Sequence, residues 1–339
     1  IYKMKNVLDE KILEEANVWI KADHKVALAT VIKTWGSSPR QVGSKMIVNE
    51  KGDFSGSISG GCVESSVVGK SMQLIKDEAP SKMIELKVSN ENAWEVGLAC
   101  GGEITIYLEQ INQIKKQLLE LIINKKKHKE EFAIITNIST GESCIFEKNK
   151  PIDKNFEKHS DEINNYFNNK QNGIIENTNI FVDTYLRPIK VMIVGAVHIA
   201  QYLVDYSKNL NFEIFIIDPR GYFASEKRFP NMNIINKWPI EAFEKIETDS
   251  STALIALTHD PKIDDPALKH ALKNKFYYIG ALGSKKTHTN RCNRLNEAGY
   301  SNEEINSIHG PIGIKLGGKS APEIALSIIS QLVLESHKL

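Results

Sequence analysis

Residues 190–200 read KVMIVGAVHIA, and this stretch determines how the second half of the chain is organised. The four apolar residues 191–194 are typical of a short strand that is buried on both faces. Gly195 then opens a turn into a segment with helical spacing, as in the G-x-G-x-x-G/A fingerprint of dinucleotide-binding folds. The segment therefore predicts the first strand and first helix of a parallel, doubly wound sheet.

The residues that follow alternate between strand and helix patterns. The patterns predict strands at 213–217, 233–235, 253–257 and 277–279, and helices at 200–210, 285–298 and 323–334. Ser301 and Ser320 each precede a Glu by three residues, a capping-box spacing that predicts a helix start at each. The alternation indicates an α/β class with a C-terminal Rossmann-like doubly wound parallel sheet.

The first half has a different pattern and predicts a smaller mixed α+β N-terminal domain. The segment Leu186-Arg187-Pro188 marks the predicted boundary, which gives domains 1–186 and 187–339. Residues 148–179 carry few apolar anchors and predict a loop with one short helix near 161–168. The predicted elements before them are helices at 6–20, 63–76 and 111–127, strands at 26–34, 45–48, 54–58, 82–88 and 103–110, and a hairpin of 132–138 with 144–147.

Composition excludes several classes of protein. The 339 residues carry 43 Lys+Arg and 42 Asp+Glu, and a formal net charge of +1 does not indicate nucleic acid or a membrane surface as partner. No apolar run approaches the roughly 20 residues that span a bilayer. Four widely spaced cysteines do not suggest a disulfide framework, so we expect a cytoplasmic setting.

The second strand of the sheet ends in Asp218, 23 positions after Gly195. A carboxylate at that position of the fingerprint accepts hydrogen bonds from ribose hydroxyls. Val197, however, occupies the second glycine position, and its β-branched side chain obstructs the usual approach of a pyrophosphate. Two alternatives remain: a nucleotide or NAD(P) site, or a Rossmann-shaped fold whose site is altered.

Two glycine-rich loops of the first half contain cysteines. Residues 57–64 read SISGGCVE, with Gly60, Gly61 and Cys62, and residues 97–102 read GLACGG, with Cys100 and Gly101. A thiolate near a helix start is stabilised by backbone N–H groups, and thiolates bind soft partners such as sulfur or a sulfur-held metal. The alternative is that each cysteine is a small buried hydrophobe, which is how we interpret Cys144 and Cys292.

Further polar residues stand in other turns. Arg40, in the Gly/Ser/Pro turn 36–44, is a candidate to bind a phosphate or carboxylate, or else forms a surface ion pair. In the second half the candidates are His198, His259, Asp260 and Gly283, which follow predicted strands, where open α/β sheets bind ligands. Three loop histidines, His309 being the third, are weak evidence for a metal, so no metal site is predicted.

Taken in order along the chain, these segments resemble the XdhC/CoxI family, the xanthine dehydrogenase accessory factors that help to mature molybdenum hydroxylases. The resemblance rests on nine segments spread over almost the whole chain, at 36–43, 59–64, 97–102, 195–198, 218–220, 258–260, 278–280, 283–286 and 309–313. Val197 departs from the family pattern, and residues 148–180 carry no resemblance.

The resemblance implies a two-domain factor that binds molybdenum cofactor (molybdopterin), supports its sulfuration and delivers it to an apo molybdenum hydroxylase of the xanthine dehydrogenase type. It also implies a maturation factor rather than an enzyme, with a cysteine desulfurase and a second copy of the chain as further partners. Two alternatives stay open: an NAD(P)-dependent oxidoreductase, and a sulfur carrier with a persulfide on Cys62 or Cys100.

Overall fold

A computed structural model describes residues 7–36, 40–61, 63–88 and 102–338. The chain divides into two compact units between Arg187 and Pro188. The first unit is the longer of the two, contrary to the expectation of a smaller N-terminal domain.

The first unit combines helices with two antiparallel sheets. Its helices are α1 (Val7–Lys21), α2 (Glu64–Lys76), α3 (Gln113–Lys127) and α4 (Ser160–Asn168). Its strands are β1 (Val26–Gly36), β2 (Lys45–Asn49), β3 (Phe54–Gly56), β4 (Ser81–Val88), β5 (Gly102–Gln110), β6 (Phe132–Asn137), β7 (Ser143–Phe146), β8 (Gly173–Ile174) and β9 (Ile180–Tyr185). The sheets have the orders β3-β2-β1-β5-β4 and β7-β6-β9-β8.

The five-stranded sheet is buried because apolar residues cover both of its faces. Ala27, Ala29 and Val31 of β1 pack with Val67 and Leu74 of α2 in one core. Residues that alternate with these along β1 belong to a second core, which also contains residues of α1 and α3. A strand with alternate residues in two cores has little freedom to slip in register, so the two ends of β1, Val26 and Gly36, have fixed positions.

The four-stranded sheet contains a strand that the sequence patterns did not predict. The expected hairpin of β6 and β7 is confirmed, and so is the short helix α4. β9, however, pairs with β6 along its whole length, and all six of its residues are buried. One of these is Asp183, whose carboxylate lies 2.8 Å from the ammonium of Lys45, with both side chains 4% exposed.

The second unit is a six-stranded parallel sheet with helices. Its strands are β10 (Ile189–Val194), β11 (Phe212–Ile217), β12 (Asn233–Ile235), β13 (Ala253–Ala256), β14 (Tyr278–Ala281) and β15 (Ile308–His309). Its helices are α5 (His198–Ser207), α6 (Pro239–Phe243), α7 (Pro261–Lys273), α8 (Lys285–Glu297), α9 (Asn302–Asn306) and α10 (Ala321–Ser336). All five strand pairings are parallel, in the order β12-β11-β10-β13-β14-β15.

This order is the Rossmann order 3-2-1-4-5-6, so the predicted fold class is confirmed. Val191 and Ile193 of β10 pack into one core with residues of α5 and α10, whereas Met192 and Val194 pack into the other with residues of α7 and α8. The Ser301 capping box that begins α9 is also confirmed. Among the helices described, none is both long enough and apolar enough to cross a membrane.

The buried ion pair of the first unit gives a stability prediction. We expect Asp183→Ala to lower the free energy of unfolding by about 3–5 kcal/mol, because the Lys45 ammonium would stay buried without its carboxylate. The double variant Lys45→Met/Asp183→Leu should regain most of that loss, since two apolar side chains replace the pair. Urea unfolding of the full chain, followed by circular dichroism, measures both; a double variant no more stable than Asp183→Ala would contradict the argument.

Candidate functional site

The carboxylate of Glu64, the first residue of α2, holds together the loop that precedes Cys62. Amides that converge in this way form a concavity suited to an anion, and here the anion is the protein's own side chain. The donors are two hydroxyls and five backbone amides: Ser57 Oγ (2.9 Å), Ser59 Oγ, Ile58 N (3.2 Å), Ser59 N (3.0 Å), Gly60 N (3.1 Å), Gly61 N (3.0 Å) and Val63 N (3.2 Å).

These hydrogen bonds keep Glu64 ionised although it is only 7% exposed. Burial by itself raises the pKa of Glu64, but the hydrogen bonds from Ser59 and Ser57 outweigh burial and lower the pKa from 4.5 to about 2. The charged carboxylate therefore stabilises the loop at neutral pH. The sequence motif of residues 57–64 contains Glu64, but residue type and spacing alone indicate no role for it.

Gly60 and Gly61 have the left-handed backbone that the loop requires. Their φ angles are +85° and +119°, a region that favours glycine. A Cβ added to Gly61 would meet no atom of the described residues within 4 Å, so these residues leave space on that side. The amides of both glycines are bound to Glu64 and are not available to an incoming anion.

Arg40 lies beside this loop. Its Nε donates a hydrogen bond of 3.1 Å to the backbone carbonyl of Ser57, which joins the turn after β1 to the glycine loop. Two of the predicted site elements are therefore neighbours. Cys62, Cys100 and Gly101 lie outside the described residues, and their roles stay predictions.

The other two thiols differ in their surroundings. Cys144 lies on β7, where burial, with a smaller contribution from Asp153, raises the pKa of its thiol to about 12. A thiol with that pKa is protonated and unreactive at neutral pH. Cys292 lies on α8 with its Sγ 3.6 Å from Nε2 of His288, and it packs against a core of the second unit.

In the second unit, Gly195, Asp218, His259 and Gly283 all follow parallel strands, namely β10, β11, β13 and β14. They therefore lie toward the carboxyl edge of the sheet, where such folds bind ligands. Gly195 has φ +109°, and a Cβ there would lie 2.7 Å from Cγ2 of Thr258. The turn after β10 and the loop after β13 are thus in direct contact, which only a glycine at 195 allows.

Asp218 is fully buried and its carboxylate is saturated. Oδ1 accepts hydrogen bonds from the backbone amide and Nε of Arg220, and Oδ2 accepts them from Arg220 Nη2 and the amide of Ala196, all at 2.8–2.9 Å. A carboxylate has about four such positions, so none is left for a ribose hydroxyl. Burial raises the pKa of Asp218, but these bonds outweigh burial and lower it. The expected ribose contact does not fit this arrangement.

The loop after β13 is held by an aspartate that sequence reasoning missed. Asp264 is 2% exposed and accepts hydrogen bonds from Thr258 Oγ1 (2.6 Å), from the Thr258 amide (3.3 Å) and from the His259 amide (3.0 Å). His259 has φ +62°, a left-handed backbone that is unusual for this residue. Asp260 caps α7 by accepting a hydrogen bond of 2.9 Å from the Lys262 amide.

The remaining candidates are more dispersed. Gly283, with φ +148°, precedes Ser284, the N-cap of α8. His198 is an exposed residue at the start of α5, with its ring centroid 5.0 Å from that of Tyr202. His309 stacks on Tyr278 at 4.9 Å. In the described ranges, no three His, Cys, Asp or Glu side chains are arranged to hold a metal ion.

Two family models match the chain. One described as the XdhC Rossmann domain matches residues 191–332, and one described as the XdhC and CoxI family matches residues 19–86. Together they account for more than half of the chain.

Two curated proteins are similar along nearly the whole chain. The molybdenum cofactor insertion chaperone PaoD of Escherichia coli (strain K12) is 26% identical, over 90% of this chain and 81% of its own. A protein of Bacillus subtilis (strain 168), named as a probable subunit of xanthine dehydrogenase, is 22% identical, over 93% of this chain and 94% of its own.

A solved structure has the same fold. It is a crystal structure from Bacillus halodurans described as a xanthine dehydrogenase, 23% identical to this chain, with a TM-score of 0.78 and 96% of both chains covered. At this identity the likeness concerns the fold alone.

The role of Glu64 can be tested by Glu64→Gln. We expect faster hydrogen exchange at the amides of residues 58–61 and a free energy of unfolding lower by about 1–3 kcal/mol at pH 7, because buried amides lose a charged acceptor. The native pKa of about 2 lies below the unfolded value of 4.5, so the stabilisation by Glu64 is present above pH 4.5 and is lost as the pH falls toward 2. The free energy of unfolding of Glu64→Gln should not show this decrease between pH 4.5 and pH 2.

A matched control is Glu304→Gln, which removes the charge of an exposed capping-box glutamate in α9. It should leave exchange at residues 58–61 unchanged. Unaltered exchange in Glu64→Gln, with stability–pH curves parallel to those of the unmodified protein, would show that Glu64 does not hold the loop.

Proposed function

The chain belongs to the XdhC and CoxI family, and on that premise we propose that it binds molybdenum cofactor as its cargo, supports sulfuration of that cofactor and delivers it to an apo-hydroxylase of the xanthine dehydrogenase type. The observation that carries the proposal is the similarity, along 90% of this chain, to a relative named as a molybdenum cofactor insertion chaperone. The relative named as a probable subunit of xanthine dehydrogenase supports the type of client.

The glycine loop of the first unit suits the metal–sulfur end of this cargo. Molybdopterin holds its metal through a dithiolene, and soft metal–sulfur centres prefer thiolate ligands. Cys62 directly follows a loop that Glu64 holds by hydrogen bonds and at which the described residues leave space beside Gly61. We propose Cys62 and Cys100 as the thiols that meet this end, with Arg40, Gly60, Gly61 and Gly101 beside them.

The carboxyl edge of the parallel sheet suits the phosphate end. Helix N-termini and glycine turns provide donors for a phosphate, and α5, α7 and α8 all begin after strands of this sheet. We propose Gly195, His198, His259, Asp260 and Gly283 as residues that bind a phosphate group or a nucleotide at this edge. Asp218 acts indirectly here, since its hydrogen bonds fix Ala196 and Arg220.

An NAD(P)-dependent oxidoreductase is the weaker candidate. Asp218 has no lone pair free for a ribose hydroxyl. Val197 is the N-cap residue of α5 and takes the position of the second fingerprint glycine, with no side-chain cap hydrogen bond. Both observations argue against ordinary dinucleotide binding.

A sulfur-carrier step is compatible with the chaperone role. A thiolate of Cys62 would attack the terminal sulfur of a persulfide on a cysteine desulfurase, and the thiolate of the desulfurase would leave. The carrier then holds one additional sulfur without any change in net oxidation of the pair. This step needs reduced thiols, which agrees with the expected cytoplasmic setting. We also propose that the chain forms a homodimer.

The cargo and the thiols are tested together by purifying the chain from cells that make molybdopterin. We expect the purified protein to retain a pterin, and Cys62→Ala to retain roughly tenfold less, the order that loss of a supporting group costs at a metal site. Incubation with a cysteine desulfurase and cysteine should add one sulfur to the chain, measured by mass spectrometry, and Cys62→Ala should abolish the addition.

Cys144→Ala is the matched control, because burial keeps that thiol protonated at neutral pH. It should change neither pterin retention nor sulfur addition. If Cys62→Ala and Cys100→Ala both retain the cofactor and still activate an apo-hydroxylase, the proposed role of the thiols is wrong. Absence of any pterin from the unmodified protein would overturn the cargo itself.

A further inference from the structure

A pocket of about 310 Å³ lies in the second unit where α7 and α8 begin. We name it the Arg291 pocket; its lining includes His259, Asp264, Lys286, Asn290, Arg291 and Arg294. Its volume is at the lower end of the range of about 300–1,000 Å³ for small-molecule sites. Lys286 and Asn290 are exposed, so the pocket opens to solvent beside them.

Arg291 is a buried cation in the wall of this pocket. The residue is only 2% exposed, and a guanidinium in a protein remains charged. Its Nη2 donates to the carbonyl of Leu282 at 2.9 Å, and its Nη1 lies 3.4 Å from Nδ1 of His288. Within the part of the chain that the structure describes, its buried Nε has no hydrogen-bond partner and no carboxylate forms an ion pair with it.

Asp264 and Asp265 act on this charge through space, but their carboxylates are hydrogen-bonded to other groups. The carboxylate of Asp264 is bound to the amides of Thr258 and His259 and to the Thr258 hydroxyl. Asp265 forms a bidentate pair with Arg294, at 2.6 and 2.9 Å. A buried charge without a partner is costly, so Arg291 is suited to an anion that enters the pocket.

The helix starts and the rim favour the same ligand. The N-terminus of a helix carries a partial positive charge and attracts phosphates, and both α7 and α8 begin here. Lys286, in the first turn of α8, adds an exposed cation at the mouth. A planar guanidinium binds phosphate through two parallel hydrogen bonds, for which Arg291 has the free Nε.

We propose that the Arg291 pocket binds the phosphate group of a small molecule, with Arg291 as the buried fork and Lys286 as the cation at the mouth. The fingerprint turn at Gly195 does not line the pocket, although the pocket shares His259 and the starts of α7 and α8 with the carboxyl edge of the sheet. The proposal rests on the unpaired charge and does not depend on the cargo argued above. It holds for a free phosphate, a phosphate ester or a pyrophosphate.

The test is calorimetric titration of the full chain with inorganic phosphate, pyrophosphate and cytidine monophosphate. We expect saturable binding at one site. Arg291→Met should weaken it by about 10- to 150-fold, which corresponds to the loss of one charged hydrogen-bonding group. Lys286→Glu should weaken it roughly tenfold by reversing a charge at the mouth.

Lys285→Glu is the matched control, since Lys285 precedes Lys286 in the same helix, is equally exposed and does not line the pocket. It should weaken binding less than about threefold. Equal losses in the Lys285 and Lys286 variants would overturn the proposal, because they would indicate diffuse attraction. No saturable binding of any of the three probes up to about 10 mM would also overturn it.

A stability measurement separates binding from a merely structural role of Arg291. In phosphate-free buffer, Arg291→Met should unfold at the same temperature as the unmodified protein or higher, because a buried charge that forms no ion pair has been removed. A lower midpoint with unchanged phosphate affinity would assign Arg291 to structure alone. Tighter binding of cytidine monophosphate than of phosphate would identify a nucleotide-like ligand, and equal binding a free phosphate.

Discussion

The buried backbone of β10 is the constraint on which the second unit depends. β10 pairs in parallel with β11 on one side and β13 on the other, and its alternate side chains enter two separate cores. The pairing continues into the turns, since the amide of Gly195 donates to Ile217 and the amide of Leu257 donates to Val194, both at 2.8 Å. The connections diverge at this point, which is where doubly wound sheets form a crevice. The loops at the carboxyl edge are therefore forced together, and Gly195 has to be a glycine.

Three buried carboxylates hold parts of this protein together, whereas the buried guanidinium of Arg291 is available to a ligand. Glu64 is bound by its own loop, Asp218 by Arg220 and Ala196, and Asp183 by Lys45. Each of these carboxylates holds backbone or a partner in place, and in doing so it loses its capacity for an external ligand. Arg291 differs, since its charge is buried to the same degree without a carboxylate of its own. Because the charge of Arg291 is positive and forms no ion pair, the ligand that it suits is an anion.

Local patterns predicted much of the fold and less of the site. The apolar run of β10, the capping spacing at Ser301 and the hairpin of β6 and β7 each depend on near neighbours, which a sequence displays directly. β9 was missed because Asp183 interrupts its apolar pattern, and the pairing with Lys45, 138 residues away, that makes its burial tolerable is not visible in the sequence. Asp218 fits a ribose-binding position by spacing, yet Arg220, two residues later, saturates it. Residue type and spacing identify a carboxylate; only the three-dimensional structure shows which group it binds.

The hydrogen bonds of Glu64 also affect how readily a thiol next to the start of α2 would form a thiolate. Free amides at a helix start would lower the pKa of an adjacent thiol and favour a thiolate in advance of its ligand. Here the amides of residues 58–61 and 63 already bind a carboxylate whose own negative charge opposes a second anion nearby. A metal that coordinates a cysteine displaces the thiol proton as it binds, so the proposed metal–sulfur cargo would not need a thiolate formed in advance. Of the two roles proposed for Cys62, metal coordination is therefore the one that this loop favours, and attack on a persulfide is the one that a nearby carboxylate slows.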